Sequence, residues 1–219
     1  MKAGTTANEG RCLVIGAGPA GLMAAETMAA AGRTVVVHDA SASPARKFLL
    51  AGRGGLNLTH SEPLQTFLAR YGPSADRLLP AIQAFPPDRL RGWAAELGEE
   101  TFIGSSRRVF PKSLKATPLL RAWLRRLGEL GVNFVPRSRF LGFDEDGALR
   151  FMASSGEKSV QAASVIFALG GASWPRLGSD GGWVEAFRAE GLAVTPLKAS
   201  SSTGRRRYGE PSPARHSKM

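Results

Sequence analysis

Three observations place this chain of 219 residues in the α/β class. An apolar run, a glycine turn, an alanine-rich stretch and a β-branched run follow one another near its start, which reads as strand, helix, strand. A later apolar run, SVIFAL at 164–169, ends directly in Gly170 and Gly171, the form of a buried parallel strand closing at its carboxyl end. Between the two lie helical stretches and short strand-like segments separated by turn residues. The prediction is a Rossmann-like three-layer domain with a helical excursion and a small antiparallel β meander.

Each element has its own signal. RCLVIG at 11–16 is a short apolar run ending in glycine, hence a buried parallel strand. Residues 20–31 are rich in alanine with Leu22, Met23 and Met28, a good helix former that Gly32 ends. TVVVHD at 34–39 is β-branched and completes a βαβ unit. A loop rich in glycine and arginine follows up to His60. Three helices are expected next: one after Ser61, one over 75–84 and one over 88–97. TFIG and RRVF then read as short strands around a polar turn. Thr117 and Pro118 have the form of an N-cap followed by proline at the first helical position. Leu119, Leu120, Trp123, Leu124, Leu127 and Leu130 recur at helical spacing, so that face belongs to the core. VNFV, FLGF, ALRFMA and KSVQ are expected to form the meander. A last helix spans 183–190, and LAVTPL is expected to form a strand leading out.

Composition narrows the classes. The single cysteine, Cys12, excludes an internal disulfide and a cysteine-rich metal site. The start, MKAGTTANEGR, carries no apolar core of a secretory signal, and the most apolar stretch, 13–31, is broken by Gly16, Gly18, Pro19 and Gly21. A soluble cytoplasmic protein, with no membrane partner, is expected. The net charge is +11, and nearly half of that excess lies after Leu197, in Lys198, Arg205, Arg206, Arg207, Arg215 and Lys218 against Glu210. A second basic run, Arg107, Arg108, Lys112, Lys115, Arg121, Arg125 and Arg126, contains no acid. It reads as a solvated face, with anion or nucleic-acid contact as the alternative.

The chemistry is carried by G-x-G-x-x-G. Gly16, Gly18 and Gly21 sit where the first strand turns into the helix, which is the context this motif requires. Gly16 permits the tight turn, Gly18 lets backbone approach a pyrophosphate, and Gly21 lets the helix pack against the strand. Asp39, 18 positions after Gly21, is suited to accept hydrogen bonds from an adenosine ribose. An acid there disfavours a 2′-phosphate, so FAD and NAD remain and NADP does not. Glycines 52, 54 and 55 with Arg46, Lys47 and Arg53 form a loop able to clasp the far half of a dinucleotide, with Asn57 and Thr59 offering bonds to a polar ring edge. An ordinary surface loop is the alternative.

The segments VIGAGPAGLMAAE, RKFLLAGRGGLNLTHSE, RVFPKSLKATPLLRAWL and ALGGASWPRLGSDGGW carry a resemblance. Over 11–197 the chain resembles the BaiN-like family of bacterial NAD(P)/FAD-dependent oxidoreductases of the glutathione-reductase-like superfamily. The resemblance implies noncovalently bound FAD, with Gly16, Gly18, Pro19, Ala20, Gly21 and Asp39 at its adenosine and pyrophosphate. It implies that the loop from Gly52 to Thr59, with Arg53, Gly54, Gly55, Asn57 and Thr59, lies along the flavin side, and that Gly170 and Gly171 approach the cofactor near the glycine turn. NAD(P)H as electron donor is implied in the same way. Many relatives carry Arg-Cys-Asn where this chain has Gly55, Leu56 and Asn57, so a loop cysteine is absent here.

Relatives also continue past the equivalent of Leu197 with an inserted domain and a return to the FAD domain. The expectation is therefore an FAD-binding domain over 1–197 and a disordered basic tail over 198–219, whose Ser, Arg, Pro, Gly and Ala content fits a shifted reading frame. A genuine short form is the alternative. A nucleotide-binding remnant without turnover and a nucleic-acid-associated protein are the competing functions. His60 is expected to cap a helix or face solvent rather than donate a proton to flavin. Cys12 is expected to act as a buried small hydrophobe. Trp93, Trp123, Trp174 and Trp183 are expected as core or interface anchors. The chain shows no Ser-His-Asp order, zinc spacing or Walker loop, and no metal is expected.

Overall fold

The computed structural model describes residues 11–51, 55–173, 175 and 178–198. Strands β1 (Arg11–Ile15), β2 (Thr34–His38), β6 (Asn133–Val135) and β10 (Ser164–Phe167) form one parallel sheet in the order β10-β1-β2-β6. Helix α1 (Pro19–Ala30) joins β1 to β2. The βαβ unit is where the sequence put it.

Alternation along the strands builds three layers. Cys12, Val14, Val35 and Val37 face a helical layer containing Leu22 and Ala25 of α1, Trp93 of α5 (Pro87–Glu96) and Leu119, Trp123 and Leu127 of α6 (Ala116–Glu129). Leu13, Ile15 and Val36 face the other way, onto Leu149 and Phe151. Those two belong to an antiparallel meander of β7 (Arg139–Phe143), β8 (Leu149–Ala153) and β9 (Gly156–Val160). Both faces of β1 are therefore dry, which its unbroken apolar run requires. A Leu13→Ala change would cost about 2–5 kcal/mol in such a site.

The excursion holds α3 (Leu64–Ala69), a 3-10 turn at Gly72–Ser74, α4 (Ala75–Ala84) and α5, as expected. A small sheet stands beside it, with β3 (Thr59–His60), β5 (Arg108–Pro111) and β4 (Thr101–Ile103) in the order β3-β5-β4. A last helix, α7 (Trp183–Ala189), packs against the meander.

Several local expectations are corrected. VNFV belongs to the parallel sheet, because β6 pairs with β2 rather than with β7. The α6 helix begins at Ala116 after Lys115, so Thr117 and Pro118 lie inside its first turn. Proline is tolerated there because the first four helical N–H groups have no partner within the helix. A short helix, α2 (Arg46–Ala51), occupies part of what reads as loop. LAVTPL is not a strand: residues 192–198 are irregular. Strand β10 is only half-buried, since it is the outer strand of the sheet among the described residues. The tail over 199–219 and Trp174 lie outside the described residues.

The basic run does not form one face. Lys112 pairs with Glu100, Arg125 with Glu129, and Arg126 with Glu26 and Glu96. Glu26 is a hub between the helices α1, α5 and α6. Its carboxylate accepts the indole N–H groups of Trp123 at 2.6 Å and Trp93 at 3.1 Å, besides the Arg126 guanidinium at 3.1 Å. Trp93 and Trp123 are core anchors, as expected.

Candidate functional site

The carboxyl ends of β1, β2 and β10 open into a cleft of about 710 Å³. Its floor is the glycine turn. Gly16 sits at φ +105°, and a Cβ there would lie 2.4 Å from the Ala168 carbonyl oxygen. A Cβ on Gly21 would lie 1.8 Å from the Gly16 oxygen. Both glycines are therefore demanded by the fold itself. Gly18 differs: its φ is −76°, open to any residue, and a Cβ there meets nothing within 4 Å. The backbone at Gly18 is therefore open to the cleft.

Pro19 starts α1 without an N–H to waste, and the Leu22 N–H bonds the Gly18 carbonyl at 2.9 Å. The N–H groups of Ala20 and Gly21 are left at the positive end of the helix. Asp39, just past β2, lines the cleft, and its carboxylate is engaged by backbone. Oδ2 accepts the Ala17 N–H at 2.6 Å and Oδ1 the Ser41 N–H at 2.7 Å. Each oxygen keeps a further lone pair. The segment after β6 braces this loop through Ser138 N–H to the Asp39 carbonyl (2.8 Å) and Arg137 N–H to the Ser41 carbonyl (3.1 Å).

Opposite the turn, residues of 178–182 and α7 form the other wall. Lys47 of α2 donates to Ser179 Oγ at 2.7 Å, and Ser179 donates onward to the Gly171 carbonyl at 2.6 Å. Trp183 donates its indole N–H to the Gly170 carbonyl at 3.1 Å and lines the cleft rather than the core. Phe140, Phe167 and Phe187 make an aromatic side to the same space. Arg139 meets Asp180 at 3.3 Å across the mouth. The Gly182 N–H, and then Arg139, hold the Asp180 carboxyl below the usual aspartate value.

His38 lines the cleft as well. It is 7% exposed, stacks on Phe151 at 4.3 Å, and places Nδ1 2.8 Å from Ser138 Oγ. Burial lowers its pKa from 6.5 to about 4, so the imidazole is neutral near pH 7.

Of the residues singled out from sequence, Gly16, Gly18, Pro19, Ala20, Asp39, Lys47 and Gly170 line this cleft, with Gly171 tied to its wall through Ser179 and Gly21 packed behind the turn against the Gly16 carbonyl. Gly55, Asn57 and Thr59 do not line it. The flanking N–H groups of Leu56 and Leu58 bond the Leu114 and Val109 carbonyls, Thr59 pairs with Val109, and Gly55 faces the Phe110 ring. Backbone pairing with β5 draws that segment into the small sheet. Arg53 and Gly54 lie outside the described residues. His60 stays with this sheet too, hydrogen-bonded to the Ser106 carbonyl at 3.1 Å. Sequence reasoning missed His38, Ser138, Arg139, Ser179 and Asp180. Only the last two had a signal, the GSDGG run following the β10 glycines.

Among the described residues no helix is long and apolar enough to cross a membrane. Three solved structures share the fold. A flavocytochrome c3 fumarate reductase in its open conformation matches with TM-score 0.64 and 19% identity, over 85% of this chain and 41% of that one. The 3-ketosteroid-delta4-(5alpha)-dehydrogenase of Rhodococcus jostii RHA1 matches with TM-score 0.53 and 18% identity, over 76% and 47%. THI4 of Thermovibrio ammonificans matches with TM-score 0.52 and 14% identity, over 84% and 64%. The chain thus spans less than two thirds of each of these proteins. At the level of sequence, the family model described as the HI0933-like protein Rossmann domain matches residues 10–204. The chain belongs to that HI0933-like Rossmann-domain family.

Proposed function

We propose that this chain holds FAD noncovalently in the cleft and is the nucleotide-binding part of a flavin-dependent oxidoreductase. The observation that carries this reading is the open space over Gly18, in a turn whose other two glycines are packed against protein. The donor set fits the group. The N–H groups of Ala20 and Gly21 suit a diphosphate, and Asp39 keeps lone pairs for ribose hydroxyls while holding the Ala17 and Ser41 backbone. Lys47 and Arg46 bring positive charge to the same cleft. FAD, when bound, supplies hydride transfer between an organic substrate and an electron donor, for which NAD(P)H is our candidate.

The protein's part is position. The braced loop 39–41 and the Lys47–Ser179–Gly171 chain hold polar groups still before a ligand arrives, and the Phe140, Phe167 and Phe187 wall excludes water from one side. Gly171 supports the wall from behind. By resemblance, Gly55, Asn57 and Thr59, with Arg53 and Gly54, serve the flavin end. A cytoplasmic setting is part of the same proposal. The test is titration of the protein with ADP and with FAD. Saturable binding of both, lost in Gly18→Val, is expected; equal binding by wild type and Gly18→Val would remove the reading.

A further inference from the structure

We infer that Ser179 is a positioning residue that aims the Lys47 ammonium at the anionic, diphosphate part of a nucleotide in the cleft, an inference that rests on the dinucleotide reading above. Ser179 is 4% exposed, and a hydroxyl has one proton to give. That proton goes to the Gly171 carbonyl at 2.6 Å, which turns a lone pair toward Lys47 Nζ at 2.7 Å. The order of the chain is thereby set: ammonium to hydroxyl to carbonyl. One of the three ammonium donors is used, and two remain for a ligand.

Among the described residues no carboxylate lies within 4.0 Å of Lys47, whereas Arg139 at the mouth of the cleft has Asp180. Lys47 sits where the anion would pass. The Ala45 N–H, two residues earlier, bonds the Ala17 carbonyl of the glycine turn at 2.8 Å. On the other side, a Cβ on Gly170 would lie 3.5 Å from Lys47 Nζ and 3.6 Å from Ser179 Oγ. Gly170, at φ +73°, thus packs directly beside the point where the ammonium and hydroxyl meet. A free lysine loses much rotamer freedom when it grips a ligand. Tethering Nζ to Ser179 moves that loss to folding and leaves a preorganised cation.

The test measures dissociation constants of ADP and of adenosine for the full chain, with Lys47→Met, Ser179→Ala, Ser179→Thr and the double variant Lys47→Met/Ser179→Ala. Lys47→Met should weaken ADP about 10- to 100-fold, the range of a charge-assisted hydrogen bond, and leave adenosine unchanged. Ser179→Ala should weaken ADP about 3- to 10-fold, also without touching adenosine. Ser179→Thr should restore ADP to within about 2-fold, and the double variant should match Lys47→Met alone. If Ser179→Ala does not fold, Ser179→Cys replaces it, keeping the shape and weakening the acceptor, with the same ADP-selective loss expected. Equal losses for ADP and adenosine, additive effects in the double variant, no rescue by threonine, or an unchanged Lys47→Met would each overturn the inference. A wild-type protein that binds neither ADP nor FAD overturns the function proposed above instead; ADP binding indifferent to Lys47 removes only this inference.

Discussion

Acid should destabilise this fold in a window set by one buried imidazole. His38 is 7% exposed, stacked on Phe151 and hydrogen-bonded to Ser138, and burial lowers its pKa from 6.5 to about 4. Between those values the unfolded chain binds a proton that the folded chain refuses, so stability is complete above about pH 7 and falls as pH drops toward 4. At about 1.36 kcal/mol per pH unit, the loss by pH 4 is about 3 kcal/mol, of which about 2 kcal/mol is lost between pH 7.5 and pH 5. The depressed carboxyls, Glu62 beside Arg70 and Asp144 beside Ser159, lose their contribution at lower pH, as the pH falls below the ordinary carboxylate values, so the windows separate. Urea denaturation followed by far-ultraviolet circular dichroism at pH 7.5, 6, 5 and 4.5 reads the slope. His38→Asn should flatten it, whatever its stability at pH 7.5. A wild-type stability that does not change between pH 7.5 and 5, or the same slope in His38→Asn, would refute the reasoning.

Three other outcomes follow from the geometry. Glu26→Ala should cost about 3–5 kcal/mol, because it strands two indole N–H groups and the Arg126 guanidinium between helices, and chemical denaturation reads it directly. Gly21→Ala should fold poorly, with a Cβ placed 1.8 Å from the Gly16 oxygen, whereas Gly18→Val should change stability by less than about 1 kcal/mol and abolish ADP binding; thermal melts and a titration separate the two. Asp39→Ala should destabilise the apoprotein by about 1–3 kcal/mol, since the buried Ala17 N–H loses its acceptor, and should weaken ADP in addition; unchanged stability would remove its structural role.

What was legible from sequence was local. Glycine spacing, an alanine-rich helix and two β-branched runs announce the βαβ unit because their periods differ and their context is contiguous. Partners far along the chain were not legible. VNFV has the look of any short strand, and its partner is β2, a strand of the parallel sheet nearly a hundred residues earlier, rather than β7. The same distance hides Ser179 from Lys47, 132 positions apart. The glycine- and arginine-rich loop reads by composition as a clasp for the far half of a dinucleotide; what composition does not show is that backbone pairing carries Gly55 to Thr59 into the small sheet while Lys47 lines the cleft. His38 reads from sequence only as a strand residue, because a histidine in a strand carries no pattern. Only the fold shows that it is dry.

The central claim is that the cleft above the glycine turn holds FAD, and equilibrium titration of the purified protein with FAD, followed by flavin fluorescence, tests it most directly. One saturable equivalent of FAD, displaced by ADP and absent in Gly18→Val, is the predicted result. No saturable binding, or binding that ADP does not displace and Gly18→Val retains, would contradict it.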